Sequence, residues 1–500
     1  MKFVHHLHVM KAGLLVMLVF PVLSLVAQQS LTLDKALEIA AIQSPNIQQS
    51  LLNLERYQNN LEAQRAALKS KFSLSVNPVD YNKTRRFDTF NSKWYTNETF
   101  NSNGTFRIEQ PILATDGTIS LINRFGWQSS KVLRSGMDSE YNERFTNNLY
   151  VHLSQPLFTY NRLKLQLREL ELSYENANIS YAMQRLNMER MVTQYFYSVY
   201  MAQMNLSIAR EELTNTQKSF EIIKNKVEAG LAAREELYQA ELNLSQSNSS
   251  VQNRQVSFEN AKDQLKMYLG MDLFEDILVI ADVEAEPVKV DLQQAIDNGL
   301  KSRMELRQRE IDLETSQFDM IRTKAMNEFN GTMNVAFGII GDNEKLLDIF
   351  DQTTRNPQAQ ISFNVPIFDW GERKARIKAQ EAAIKSQELN FDEQKKQIII
   401  DIREAYRNLQ NQVNQIEIAR QNERNAQLTY EINLERYENG DLTGMDLNLY
   451  QTQLSNQKIN YAQALINYKI ELLNLKVQSL FDFEKGKAVI PTELYKNNHE

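Results

Sequence analysis

Two periodicities alternate along this chain, and the alternation occurs twice. Apolar residues three and four apart predict helix over residues 31–70, with Leu33, Ala36, Leu37 and Ala40 on one face and Leu51, Leu54, Leu61 and Leu68 further on. From Lys71 to about Gln155 the period drops to two. Phe72, Leu74 and Val76 alternate with polar residues, as do Phe106 and Ile108, Ile119 and Leu121, and Leu149, Val151 and Leu153, which predicts strands. Asn/Ser/Thr-rich stretches such as 97–105 read as surface loops between them. A helical pattern follows from about Arg162 to Glu228, enough to span about 100 Å. Gly230 interrupts it, and helix resumes from about Arg234 to Leu269. After a mixed connector the sequence starts again. Helix runs to about Lys324, and Met333, Val335 and Phe337 alternate, as do Ile361, Phe363 and Val365. Helix then runs from about Arg373 to Glu438, breaks at Gly440, and returns from about Met445 to Leu480.

The repetition extends to individual residues. Gln155-Pro156-Leu157-Phe158-Thr159-Tyr160-Asn161-Arg162 is echoed by Val365-Pro366-Ile367-Phe368-Asp369-Trp370-Gly371-Glu372-Arg373. Pro156 and Pro366 are 210 residues apart, and so are Gly230 and Gly440, so one structural unit is duplicated. The chain divides into a targeting segment (1–27), a first repeat (28–270), a connector (271–290), a second repeat (291–482) and a tail (483–500). Each repeat is read as a helix, a β-hairpin region (about 71–156 and 329–368) and a long helical hairpin with its tip at 229–233 or 439–444. Ala36 lies 120 residues before Pro156, but Ala295 only 71 before Pro366. The surplus of about 49 residues falls in the first strand region, as larger external loops or as additional strand.

The long helices carry a seam, Ile398, Ile402, Ala405, Leu409, Val413 and Ile416, and a neighbouring line, Ile399, Tyr406 and Val413. Two seams suit a helix between two neighbours in a closed ring; an ordinary bundle core would give the same pattern. The cluster Tyr195-Phe196-Tyr197 with Tyr200 reads as packing. Composition adds that Gly (15) and Pro (9) are scarce, as long uninterrupted helices require. There is no cysteine, which excludes disulfides, thiol nucleophiles, thiolate metal sites and a lipid-modified N-terminal cysteine. Lys11, the apolar run Ala12–Val26 and Ala27 form a secretory signal; its loss moves the net charge from −7 to −9. No later run is apolar enough for a membrane helix, so any crossing is made by strands, which need only about 9–11 residues each. Two or so strands per half cannot close a barrel, since single-chain barrels start at about eight. The strands must therefore be pooled in a homo-oligomer.

With Leu31-Thr32-Leu33-Asp34-Lys35-Ala36-Leu37, the duplicated Pro-Leu/Ile-Phe phrase and the hairpin glycines, the chain resembles TolC-like outer-membrane efflux proteins over roughly 31–482. The resemblance implies a mainly α fold with a β-barrel portion: a homotrimer sharing a 12-stranded transmembrane barrel, continued by a periplasmic α-helical barrel. It implies an outer-membrane exit duct of a tripartite efflux or type I secretion system in a Gram-negative bacterium, working with a periplasmic adaptor and an inner-membrane pump. The periplasmic gate falls on Asp446, Glu236, Tyr437 and Asp441, and adaptor contact on Gly230, Leu231, Ala232, Gly440, Leu442 and Thr443. Pro156, Phe158, Pro366, Phe368, Trp370 and Gly371 mark the strand-to-helix junctions. Leu449 and Leu442 stand where the family has an acidic residue and a basic latch, a departure from the usual ion-paired latch for which Asp441 could substitute in part. Three copies of Asp446 around one axis would raise one another's pKa and attract cations; an acid at a helix start is also an ordinary surface feature. Both hairpin glycines also suit simple helix termination.

Enzymatic function is not expected. Beyond the signal only His152 and His499 remain, with no nucleophile–base set, phosphate loop or metal spacing, and no cofactor or nucleic-acid partner is implied. The alternative is a periplasmic coiled-coil scaffold or adaptor without a pore. Cargo, the identity of adaptor and pump, the resting state of the gate, and the choice of membrane strands among segments near 72–80, 104–112, 117–127 and 147–156 stay open.

Overall fold

A computed structural model describes residues 29–90, 92–134, 139–284, 286–439 and 441–489; the signal segment, Gly440 and the end of the tail lie outside the described residues. The first repeat runs β1 (Gln29–Leu31), α1 (Leu33–Gln43), α2 (Pro45–Ala67), β2 (Lys71–Asp88), β3 (Lys93–Ile112), β4 (Gly117–Arg134), β5 (Glu140–Leu157), α3 (Arg162–Glu228) and α4 (Arg234–Leu269). After β6 (Ile277–Val279) come α5 (Leu292–Ser302), α6 (Met304–Ala325), β7 (Asn330–Asn343), β8 (Thr354–Asn364), α7 (Glu372–Glu438) and α8 (Gly444–Ser479). A short antiparallel pair, β9 (Phe481–Asp482) and β10 (Lys487–Ala488), closes the described chain. α3 and α7 are both 67 residues long, and α4 and α8 both 36, so the 210-residue offset governs the helices residue for residue.

The leading helix of each repeat, expected as one rod, is two. Pro45 cannot donate to a preceding turn and pushes Ser44 out of the helical region (ψ 125°), which separates α1 from α2. In the second repeat Arg303 (ψ 120°) makes the same break, with its guanidinium held by Glu305 and by the Gln478 side chain. Thr32 caps α1 through the Lys35 amide, and Asp291 caps α5 through the Gln294 amide at 3.0 Å.

These short helices plug into the middle of the long hairpins. In the first repeat Leu31, Ala36, Ala40 and Ile47 pack with Val192, Phe196, Leu265 and Leu269. Tyr195 and Tyr200 lean on the same cluster, so the aromatic run is packing. In the second, Ala295 meets Ile398, Ile402, Ala405, Leu409, Tyr468 and Leu475. Tyr406 and Val413 border this core, and Ile399 is half-buried beside it, so the two predicted lines flank one interface. β1 pairs in parallel with β6, stitching the start of the chain to the connector. The halves meet where α6 crosses α3: Arg307 grips Glu175 through two N–H donors (2.6 and 3.1 Å), and Arg168 reaches Glu314 at 3.0 Å.

All six long strands form one antiparallel sheet in the order β2-β3-β4-β5-β7-β8. Two strands per half was the expectation; the second repeat has two, but the first has four. The surplus residues are thus strand, an extra hairpin of β2 and β3. Six strands per chain also exceed the four that a trimeric twelve-stranded barrel takes.

Following the register, Phe72, Ile108, Leu121, Val151 and Phe337 stand in one row, with Leu74, Phe106 and Leu149 in the next and Ile119, Leu153 and Val335 on the other side. All lie on one face, and it is exposed: Phe72 by 68%, Leu74 by 69%, Phe337 by 56%. The opposite face carries Ser73, Thr105, Arg124, Asn148 and Gln358. No described helix is long and apolar enough to cross a membrane.

Gly270 ends α4 at φ +78°, and a Cβ there would overlap the carbonyl oxygen of Gln43, where α1 stops. Gly230 has φ +75° and open space. Gly270→Ala should therefore cost about 2–4 kcal/mol, backbone strain plus overpacking, and Gly230→Ala only about 1. Thermal resistance of the assembled protein on a denaturing gel measures the difference.

Candidate functional site

The two hairpin tips are built alike. At the first, the α3 end closes with the Gly230 amide on Val227 O (3.0 Å) and the Leu231 amide on Lys226 O (2.8 Å). At the second, the Asn439 amide reaches Glu435 O (3.0 Å) and the Asp441 amide Arg436 O (2.9 Å). The long bonds spanning five residues satisfy the last carbonyls of each helix. Gly440, assigned to this turn, lies outside the described residues.

The tips differ where the next helix begins. Thr443 caps α8: its Oγ1 accepts the Asp446 amide at 3.2 Å and donates to Asp446 Oδ2 at 2.7 Å. The Thr443 hydroxyl thus serves both the amide and the carboxylate of Asp446, a side-chain N-cap in which the carboxylate meets the hydroxyl and not the backbone amide. Asp446 thus has a structural duty within its own chain, yet its side chain stays exposed at the tip. At the first tip Ala233 offers no side-chain cap, and Glu236 is exposed and makes no ion pair among the described residues. Asp441 is exposed too, and among the described residues no ion pair ties the second tip. Leu442 and Ala232 are half-buried, whereas Leu231 (79% exposed), Met445 and Leu449 project into solvent. The single chain does not bring Asp446 and Glu236 into contact.

Tyr437 joins the two tips. Its ring lies beneath Lys226 Nζ (5.7 Å to the centroid), and a Cβ on Gly444 would sit 3.7 Å from the ring and 3.4 Å from Ile223. The side chain from α7 therefore wedges against α3 of the other hairpin. Its hydroxyl is buried without a hydrogen-bond partner, and burial raises its pKa.

At the opposite end, the strand-to-helix junctions are held by acids. Asp116, in the β3–β4 turn, accepts Arg162 Nε at 2.8 Å and the Leu163 amide at 3.1 Å. Asp369 accepts the Gly371 and Arg373 amides at 2.9 and 3.0 Å. Those amides, Arg373 first, hold its carboxyl below the usual range. The two bends differ in detail: Phe158 takes a positive φ at the first, Trp370 and Gly371 at the second. Pro156 still belongs to β5, opposite Thr332, whereas Pro366 follows β8.

The junction aromatics point outward. Phe158 packs at a tilt against Phe329 (5.3 Å) and Phe363 (6.4 Å), and Phe368 meets Trp370 edge-on at 4.8 Å. Trp370 is 90% exposed. Exposed aromatics at the end of an apolar sheet face are what the boundary of a bilayer selects. The sequence pattern grouped Phe158, Phe368 and Trp370 as a junction and placed Phe363 on a strand, but did not single out Phe329 or Asp116. Asp116-Gly117 carried a turn signal; Phe329 carried none.

The outer membrane efflux protein family matches residues 119–271 and 330–477 of the chain. No curated protein matches it. Among solved structures, the outer membrane channel CmeC of Campylobacter jejuni superposes with a TM-score of 0.68 at 15% identity, covering 91% of this chain and 86% of that one. The open state of the Neisseria gonorrhoeae channel MtrE gives 0.64 at 15% identity (92% and 89%), and the Vibrio cholerae outer membrane protein VceC 0.64 at 13% (89% and 95%). At these identities the likeness is one of fold.

Tyr437→Phe should leave the tips as stable as before or firmer by up to about 1 kcal/mol, because a buried hydroxyl without a partner is removed. Tyr437→Ala should loosen them by about 2 kcal/mol. Hydrogen exchange of the 220–230 and 432–447 segments compares the two.

Proposed function

The chain belongs to the outer membrane efflux protein family, and we propose that three copies form a continuous duct whose periplasmic end is closed at the hairpin tips. The protein is an outer-membrane channel for efflux that extends into the periplasm. The observation that carries the trimeric reading is an open antiparallel sheet with an exposed apolar face, joined to two helical hairpins of matched length. Open sheet edges are not tolerated in hydrocarbon, so copies must supply one another's missing strands. Helices of 67 residues extend about 100 Å, a length that suits a tunnel across the periplasm.

At the tips, Asp446, Glu236 and Asp441 supply negative charge and Tyr437 supplies the packing that keeps the two hairpins together. Threefold symmetry multiplies each exposed carboxylate by three around one axis, which favours cations and resists anions. Met445, Leu231 and Leu449 add an exposed apolar rim of the kind that docks the helical hairpins of a periplasmic adaptor, with an inner-membrane pump beyond it. Gly230, Ala232, Leu442 and Thr443 shape that rim; Gly440 is assigned to it from the sequence. Among the described residues no ion pair stands where the family has its latch, so closure rests on Tyr437 and on the Thr443–Asp446 cap.

Single-channel conductance of detergent-extracted protein in planar bilayers tests this reading. The native protein should give discrete, cation-preferring steps that multivalent cations block. Asp446→Ala with Glu236→Ala should weaken the block and the cation preference and enlarge the steps several-fold. Unchanged selectivity and block would remove these acids from the gate. Silence of both proteins, with material extractable in plain buffer, would instead favour a pore-free periplasmic scaffold.

A further inference from the structure

The family match takes in nearly all of β4 and the whole of β5, β7 and β8, two strands per repeat, which three copies would pool into twelve. β2 and β3 lie outside the matched residues, and three features of this chain build them as membrane strands. Their pairing is continuous with the rest: β3 meets β4 from Ile112↔Gly117 to Tyr95↔Arg134. Their apolar residues fall on the common lipid-side face. Their height agrees as well. On β3, eight residues separate Ile108 from the Phe100 ring, which contacts Tyr81 of β2 at 4.7 Å. The same eight separate Ile119 from Trp127 on β4 and Leu153 from Phe145 on β5. Eight residues span about 26 Å along a strand, or about 20 Å when tilted, close to the ~25 Å apolar band of outer-membrane barrels.

The irregularity in β2 strengthens the case. Between Asn77 and Asp80 the strand carries one residue more than β3, with Pro78 at the bulge. Had the strand run through that extra residue with unbroken alternation, Tyr81 and Phe87 would turn into the lumen. The bulge absorbs it, and they share the face of Phe72, Leu74 and Val76, opposite Phe100 and Trp94. A surface flap would have no need of this correction.

We infer that β2 and β3 cross the outer membrane, that β2 of one copy pairs with β8 of the next, and that three copies close a barrel of eighteen strands. This rests on the trimeric reading above. The direction fits, because β2 leaves the helical side and β8 returns to it, so the new contact is antiparallel like every other in the sheet. Barrel diameter grows roughly linearly with strand number, so this duct is about 1.5 times as wide in the membrane as a twelve-stranded one, and water-filled. The outer-membrane segment then imposes no size selection on cargo.

The chain has no cysteine of its own, so paired substitutions report neighbours directly. Thr99→Cys with Ser130→Cys, opposite each other on β3 and β4, probes the added hairpin. Ser75→Cys on β2, combined in turn with Gln358→Cys, Gln360→Cys or Ser362→Cys on β8, probes the junction between copies; three partners are used because barrel shear sets the register. Oxidation in intact outer membranes should close the first pair within one chain. For at least one partner, the second should give a covalent ladder ending at trimer. A ladder ending at dimer would mean twelve strands from two copies and overturn the inference. So would an open Thr99/Ser130 pair with the ladder obtained instead from Ser120→Cys on β4 with Gln360→Cys. Absence of any inter-chain bond in protein that fractionates with the outer membrane also overturns it. Protein that fractionates as soluble sinks the channel reading itself, a separate result.

Discussion

Everything in this molecule is arranged around the hydrogen-bonding groups of two sheet edges. A backbone N–H or C=O in hydrocarbon without a partner costs several kcal/mol, so the outer sides of β2 and β8 cannot stay bare in a bilayer. A chain of 58.1 kDa packed as a compact monomer exposes about 19,000 Å², yet this one has 33351 Å² accessible. Long helices and a sheet with uncovered faces carry much of the excess. The sheet lacks neighbours at both edges and its apolar face lacks lipid. On the trimeric reading, the fold is the repeating part of an object and is complete only in copies.

The duplication solves a second geometric problem. Both hairpins must end at one level if their tips are to meet around an axis, and helices of 67 and 36 residues in each repeat guarantee this. An added residue in α7 alone would lift its tip by about 1.5 Å and rotate it by about 100°. Tyr437 would then leave the pocket made by Ile223, Lys226 and Gly444. The layer of α1, α2, α5 and α6 serves as a collar at mid-height: Gly270 seats the end of α4 against α1, and the Arg307–Glu175 pair ties α6 to α3.

The long helices were legible in the sequence because the period-3.6 pattern is sustained and the interruptions are glycines. Their ends at Glu228, Leu269 and Glu438 fall where that pattern stops. The break at Ser44–Pro45 was missed because apolar spacing continues across it, although the proline itself was the signal. The added hairpin was hidden for a different reason. Its 97–105 stretch faces a wet lumen on alternate residues and carries Ser102 and Gly104 even on the lipid side, so composition suggested a loop. At the tips, glycine spacing located the turns, whereas the wedge role of Tyr437 and the Thr443–Asp446 cap depend on neighbours that only the folded chain supplies.

The position of the β2–β3 insertion, at the rim of one chain's sheet, has a consequence for how such ducts diversify. The order β4-β5-β7-β8 is untouched by it, as are the long helices. Each hairpin gained or lost there is counted once per copy, so in a threefold assembly barrel girth changes only in increments of six strands. The tunnel of helices below keeps its own fixed bore. Any mismatch between the two must be absorbed in the few residues that join them, and there the chain places its two positive-φ aromatics, Phe158 and Trp370. Those bends act as an adapter between pipes of different gauge, so the membrane portion can widen without redesign of the tunnel.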